Sequence, residues 1–471
     1  MTGSAATLEA GSNVDLATRV ASASPTAATR STRWIDDWRP EDATFWAEGG
    51  QRIARRNLIF SILSEHIGFS IWSMWSVMVL FLNKRYGFDP AQKFLLTTMP
   101  VAVGAVLRIP YTFAVAKFGG RNWTIFSTAI LLVPCALTAM VLKPGVSFTT
   151  LLLVGAVAGV GGGNFSSSMS NIDAFYPQRL KGWALGLNAG GGNIGVAAVQ
   201  LVGLAVLAAF GVAHPRVIIA IYVPLVVLAT VGAALFMNNL SHVTNDKGAM
   251  RDVLRDRHSW IIMTLYVGTF GTFIGFGFAF GQVLQVQFAS TFNTPAKAAS
   301  VTFLGPLIGS LIRPVGGRLA DKIAGSFVTF WNFVAMSIGA SVVLVASQMK
   351  SLPVFVIGFI VLFVLSGLGN GSTYKMIPAV FNARAQLAIA AGIDPDDAAR
   401  RAKRLSRALI GLAGAVGAFG GVLVNLSFRQ AFLSSKSGDV AYAAFIVLYV
   451  ACAAITWTAY RRDRVGRLAG V

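Results

Sequence analysis

Two arginines, Arg108 and Arg313, each sit past the middle of a stretch that otherwise reads as a membrane-spanning helix. A guanidinium at the bilayer centre costs about 2.5–3.5 kcal/mol even on forgiving insertion scales, so such a residue faces an internal cavity and marks a substrate path. A proline follows each, in Arg108-Ile109-Pro110 and Arg313-Pro314, and the two lie 205 positions apart in a chain of 471. The pattern predicts two similar halves with a positively charged site between them, suited to a small anion.

Composition agrees with a membrane chain. Hydrophobic residues make up 55% and charged residues 12%, with a mean hydropathy of +0.65, whereas a soluble domain carries about 25% charged residues. The net charge of +20 raises the question of nucleic-acid binding. The basic residues lie in short loops between apolar segments, so no nucleic-acid partner is expected. Cys135 and Cys452 fall in apolar stretches without metal-ligand spacing and read as small core residues. There is no nucleophile–base pair, metal cluster or phosphate loop in the pattern, so neither an enzyme nor a cofactor is expected. Residues 1–32 are rich in Ala, Ser and Thr and lack the apolar core of a signal peptide.

Twelve apolar segments meet the ~20-residue span requirement, at about 57–82, 92–116, 122–142, 149–173, 183–211, 216–238, 259–288, 297–319, 326–347, 353–380, 406–429 and 440–460. The fold class is therefore an all-α polytopic membrane protein with twelve transmembrane helices. A polar break at 239–258 separates six from six. The expected organisation is a disordered cytoplasmic tail (1–50), an N-terminal six-helix half (51–240), a central cytoplasmic linker (241–258), a C-terminal half (259–460) and a basic cytoplasmic tail (461–471). Lys and Arg crowd the loops on the side that carries the termini, which places both termini in the cytoplasm of a cell (inner) membrane protein. The run Arg400-Arg401-Ala402-Lys403-Arg404 reads as an amphipathic connection whose charges are solvated near anionic headgroups.

An internal repeat supports the two halves. Gly159-Val-Gly-Gly-Gly-Asn164 and Gly367-Leu-Gly-Asn370-Gly-Ser are 208 positions apart, nearly the offset of the arginines. A parallel repeat of two six-helix halves is the architecture of the major facilitator class, which binds substrate near the midplane between them. The loop Gly316-Gly317-Arg318-Leu319-Ala320-Asp321-Lys322 resembles that superfamily's cytoplasmic loop motif, and Lys117-Phe-Gly119-Gly120-Arg121 looks like a degenerate copy without the Asp. Glycines recur every four residues at Gly155, Gly159 and Gly163 and at Gly182, Gly186 and Gly190. Such spacing stacks them on one face and permits close helix approach, either as static packing or as smooth surfaces for rocking between the halves.

Two stretches are similar to the signature regions of the nitrate/nitrite porter family of the major facilitator superfamily. One runs from Gly161-Gly-Gly163-Asn164-Phe165 through Asn188-Ala-Gly190-Gly-Gly192-Asn193-Ile; the other is Gly369-Asn370-Gly371-Ser-Thr-Tyr-Lys375-Met-Ile-Pro378. The resemblance covers roughly 57–460. It implies a major facilitator fold, nitrate and nitrite as substrates, and one arginine from each half, Arg108 and Arg313, clamping the anion. Aromatic walls would come from Phe69, Phe165, Tyr266 and Phe270, a further polar contact from Asn193, and gating or signature roles from Gly163, Asn164, Gly190, Gly192, Gly369, Asn370 and Gly371. Beyond the substrates, the expected partner is membrane lipid, with no obligate protein.

The chemistry suits these residues. Nitrate is planar and accepts hydrogen bonds in its plane, and a planar guanidinium offers paired donors that a lysine lacks. Two cations with one monovalent anion leave a positive site, and an empty site should resist closure because desolvated like charges repel. That logic predicts nitrate/nitrite exchange without protons. Glu65, beside His66 in the first segment, departs from the exchange pattern. It reads either as a structural hydrogen-bonding group or as a proton site for nitrate/proton symport. A porter for another small monovalent anion, and a non-transporting sensor with a transporter-like body, remain open at this stage.

Overall fold

The computed structural model describes residues 33–244, 246–462, 468 and 471. Twelve long helices form its body: α1 Gln51–Phe81, α2 Pro90–Phe118, α3 Gly120–Val141, α4 Phe148–Phe175, α5 Gln178–Phe210, α6 Arg216–Phe236, α7 Arg257–Gln287, α8 Pro295–Ile323, α9 Gly325–Gln348, α10 Leu352–Ala390, α11 Pro395–Ser435 and α12 Asp439–Arg461. Eleven are long and apolar enough to cross a membrane. The twelfth, α1, carries Glu65, His66 and a file of serines, and most of its residues are buried among the other helices. Its polarity is thus turned inward.

Caps fix several of the ends. Asp89 closes a capping box with Gln92 ahead of Pro90, and Asp394 caps α11 ahead of Pro395, each placing proline in the first turn where its missing N–H costs nothing. The basic run 400–404, expected in a separate connection, belongs instead to the continuous helix α11, because that cap starts the helix one and a half turns earlier.

Within the first half, α1 packs on α5 and α4 on α2. Within the second, α8 and α9 pack on α10. Across the halves α2 lies along α11, α5 along α8, and α1 and α2 against α7. Polar ties cross the same seam: Thr97 donates to Asn425 Oδ1 (3.1 Å), Gln200 to the Gly277 carbonyl (2.8 Å) and Gln282 to the Pro90 carbonyl (2.6 Å).

The expected disordered tail 1–50 is corrected where it is described. Trp34–Ile35 (β1) pairs in parallel with Asn239–Leu240 (β2). Trp38 and Trp46 are buried, and Trp38 donates its indole N–H to the Phe175 carbonyl (3.3 Å). Burying two indoles supplies the apolar area that holds this short segment against the ends of α4 and α6. The rest of that tail, residues 1–32, and most of the basic tail 461–471 lie outside the described residues.

Glycine packing is more selective than the four-residue spacing predicts. A Cβ on Gly161 would stand 2.3 Å from the Gly68 carbonyl oxygen, and one on Gly367 would stand 2.1 Å from the Gly309 carbonyl oxygen. These contacts seat helices inside each half. A Cβ at Gly186 or Gly190 would meet nothing within 4 Å, so the face of α5 that carries these two makes no close helix contact. Glycines at the seam sit mainly on α11, where Gly411 faces Thr112 and Gly421 faces Val101.

Candidate anion site

Arg108 is fully buried, while Val106 and Ile109 on the same helix are 61% and 42% exposed. Arg313 repeats the arrangement: it is 5% exposed, between Leu311 at 59% and Val315 at 45%. Each helix thus turns an apolar stripe outward and this arginine into the bundle. The two cations then meet across the seam at one ring. The Arg108 guanidinium carbon is 5.1 Å from the centre of Phe270, and that of Arg313 is 6.0 Å from it.

Local backbone irregularities build this meeting point. In α4, Gly159–Gly163 is a 3-10 stretch, and its Gly162 carbonyl accepts from Arg108 Nε (3.1 Å). In α7, Val267–Gly271 forms a π-helical turn that contains Phe270 and follows directly on Tyr266; such turns are commonly found at functional sites. Arg108 Nη1 donates to the Gly414 carbonyl of α11 (2.8 Å), joining the halves through the arginine itself. Arg313 Nη2 donates to the Tyr266 hydroxyl (3.2 Å).

Arg108 Nη2 and Arg313 Nη1 are buried without an acceptor among the described residues. An unmet buried donor costs about 1–3 kcal/mol, more on a charged group, so these are the positions where an anion gains most. Rings complete the wall. Phe165 lies 4.6 Å from the Arg108 guanidinium, Trp72 5.4 Å and Phe69 5.8 Å. Tyr266 and Phe270 stack at 5.1 Å, and Phe165 and Phe270 at 6.1 Å. Cation–π contact of this kind is worth about 2 kcal/mol when desolvated and keeps water away from the charges. Gly417 makes room for it, since a Cβ there would stand 2.5 Å from Tyr266 Cδ1.

The structure therefore brings Arg108, Arg313, Phe69, Phe165, Tyr266 and Phe270 together. Asn193 is buried on α5 with both amide atoms unpartnered, and so are Asn164 on α4 and Asn370 on α10. None of the three hydrogen-bonds to either guanidinium. Gly163 seats the Tyr111 ring, Gly369 faces Asn332 and Thr269, a Cβ on Gly371 would stand 2.2 Å from the Arg313 carbonyl oxygen, and Gly192 faces Glu65. Sequence reasoning missed Trp72 and Tyr374; the Tyr374 ring is 5.6 Å from the Arg313 guanidinium. Tyr374 lies inside the second signature stretch, which was the available signal.

A cavity of about 540 Å³ opens on the face that carries the termini. Thr112, Met169, Asp173, Lys181, Arg404 and Arg407 are among its lining residues, and neither arginine of the clamp is. It ends one helical turn from Arg108, whose carbonyl accepts from Thr112 Oγ1 (2.8 Å). Ion pairs ring this face: Asp173 holds Lys181 at 2.9 Å and Arg407 at 2.7 Å, and Lys375 holds Asp321 at 2.9 Å.

Residues 60–393 match the family model of the Major Facilitator Superfamily. The nitrate/nitrite transporter NarU of Salmonella typhimurium is 36% identical over 91% of this chain and 96% of its own length. The chain belongs to the nitrate/nitrite porter family of that superfamily. A probable nitrate/nitrite antiporter, NarK2 of Thermus thermophilus, is 34% identical over 74% of this chain and 84% of its own. Among solved structures, a D-xylose-proton symporter superposes with a TM-score of 0.65 at 14% identity, over 86% of this chain and 97% of that one, a likeness of fold alone. As a member of the porter family the protein is a multi-pass membrane transporter and not an enzyme.

Proposed function

We propose that this porter carries nitrate and nitrite across the cell membrane by alternating access, with the anion held between Arg108 and Arg313. The observation that carries the reading is the pair of buried guanidinium groups flanking Phe270, each with an N–H group that has no protein acceptor. A flat anion placed there accepts from both halves at once, and the rings of Phe165, Phe270 and Tyr266 fit its faces. The likeness to a nitrate/nitrite transporter and a probable nitrate/nitrite antiporter supports the choice of substrate over formate or chloride.

For the clamp taken alone, exchange is the natural mode. Empty, it holds two like charges in a low-dielectric seam, and one bound anion removes half of the burden. Orientation with both termini in the cytoplasm follows from the loop charges, and puts the cavity beside Asp173 on the cytoplasmic side. Counterflow in proteoliposomes tests the reading: vesicles loaded with nitrite should take up labelled nitrate with no pH gradient, and unloaded vesicles of equal pH should not. Absence of counterflow in the wild type would overturn the clamp.

A further inference from the structure

Tyr374 lies on α10 where that helix is pinned to α8 on both sides of it. Three residues earlier, a Cβ on Gly371 would stand 2.2 Å from the Arg313 carbonyl oxygen, and one residue later Lys375 pairs with Asp321 at 2.9 Å. Gly371, Tyr374 and Lys375 share one side of the helix. The backbone therefore carries the Tyr374 ring to Arg313, with 5.6 Å between ring centre and guanidinium carbon. The ring also meets that of Tyr266 at 5.8 Å. Its hydroxyl is buried and has no hydrogen-bond partner among the described residues. The polar groups that act on it electrostatically have other bonds: Tyr266 accepts from Arg313, Glu65 accepts from Ser168 and Asn188, and Asp173 pairs with Lys181 and Arg407. Both clamp arginines act on it as well. Tyr374 thus combines an unmet buried donor with direct contact to the anion site, and an unmet donor is a cost that a ligand can remove.

We propose that the Tyr374 hydroxyl is the third donor of the anion site and sets its preference for nitrate over nitrite. The proposal rests on the arginine clamp and names the residue that separates its two substrates. Nitrate is a flat triangle with an oxygen at each corner. One unmet N–H group from Arg108 and one from Arg313 take two of the corners, and the hydroxyl donates to the third. Nitrite gives the clamp two oxygens but carries only the nitrogen lone pair at the third corner. That lone pair lies one bond length short of the place where the hydroxyl donates. A buried donor that one substrate satisfies and the other leaves unmet discriminates between them. A phenol suits this corner because it adds direction without adding to the two positive charges already there.

Tyr374→Phe keeps the ring on Arg313 and Tyr266 and removes only the donor. Calorimetric titration of the full-length protein in detergent with nitrate and with nitrite gives both dissociation constants and their ratio. The variant should bind nitrate about tenfold more weakly, with nitrite changed by less than about twofold. An unchanged ratio overturns the proposal, whether both constants hold or both weaken together, because a purely structural role moves the two anions alike. Should the variant bind neither anion, the wild type decides. Nitrate binding several-fold tighter than both nitrite and formate, which have two oxygens each, supports the third donor; nitrite or formate binding as tightly as nitrate overturns it. A wild type that binds neither nitrate nor nitrite would overturn the arginine clamp itself, whereas an unchanged ratio leaves the clamp standing.

Discussion

Arg108 spends two of its nitrogens on carbonyls, Gly162 and Gly414, and keeps one free. A lysine in its place has a point charge that cannot span those partners and still offer a donor to an anion. Arg108→Lys and Arg313→Lys are each expected to weaken nitrate binding by about 10- to 100-fold, since a hydrogen bond to a charged group is worth about 1.5–3 kcal/mol. Membrane insertion should be unchanged, and binding to detergent-solubilised protein measures the loss. Tyr266→Phe removes the hydroxyl that aims Arg313, and should raise the half-saturating nitrate concentration by about tenfold with the maximal rate less affected. The arginines were legible in the sequence because a cation in an apolar run is anomalous by itself. Phe165, Tyr266 and Phe270 were legible only through the family resemblance. Trp72 and Ser168 were not singled out: aromatic and hydroxyl residues are common in apolar helices, and only the crossing of α1 with α2 and α4 gives these two their partners.

Helices, in turn, owe their most useful features to irregularity. The 3-10 stretch of α4 and the π turn of α7 present a carbonyl and a ring to the arginines, and neither departure follows from hydrophobic periodicity. They arise where glycines let backbones touch. Gly161→Ala would press a methyl against the Gly68 carbonyl. Overpacking of this kind costs about 1–3 kcal/mol, read as a lowered melting temperature in detergent, with uptake reduced because the Gly162 carbonyl moves with α4. The linker helix Lys247–Arg255 has a different kind of anchor. Arg404 of α11 pairs with both Asp246, its N-cap, and Asp252. The Arg404 guanidinium holds the Asp246 carboxyl below its usual range. A depressed carboxyl contributes its stabilisation above its ordinary value and loses it only as pH falls through the lowered one, so the anchor is constant between about pH 6 and 8. Arg404→Ala should expose Arg251 to trypsin, with two fragments split at the linker as the readout, and the wild-type pattern should not change over that range.

Taken together, the halves are tied at the site and again at the face that bears the termini. Asp173 of α4 binds Lys181 in its own half and Arg407 of α11 in the other. Its carboxylate is mostly buried, and Arg407 is half exposed, so the pair is partly shielded from salt and is worth more than an open surface pair. The cavity beneath lies between this tie and Arg108. Opening that face therefore requires Arg407 to leave Asp173, whereas Lys181 moves with it. Asp173→Asn keeps the shape and the contact with Lys181 as a neutral hydrogen bond while removing the attraction across the seam. The population should shift toward the state open at this face. A cysteine introduced at Ser170, which lines the cavity, should then react faster with a membrane-impermeant maleimide added from that side, by about 5-fold for a shift of about 1 kcal/mol. Added nitrate should slow the reaction in both proteins, because an anion between Arg108 and Arg313 draws the halves together one turn away. An unchanged rate in the Asp173→Asn background would mean that the α2–α11 seam, with Thr97 on Asn425 and Arg108 on Gly414, sets the equilibrium without the outer ion pair.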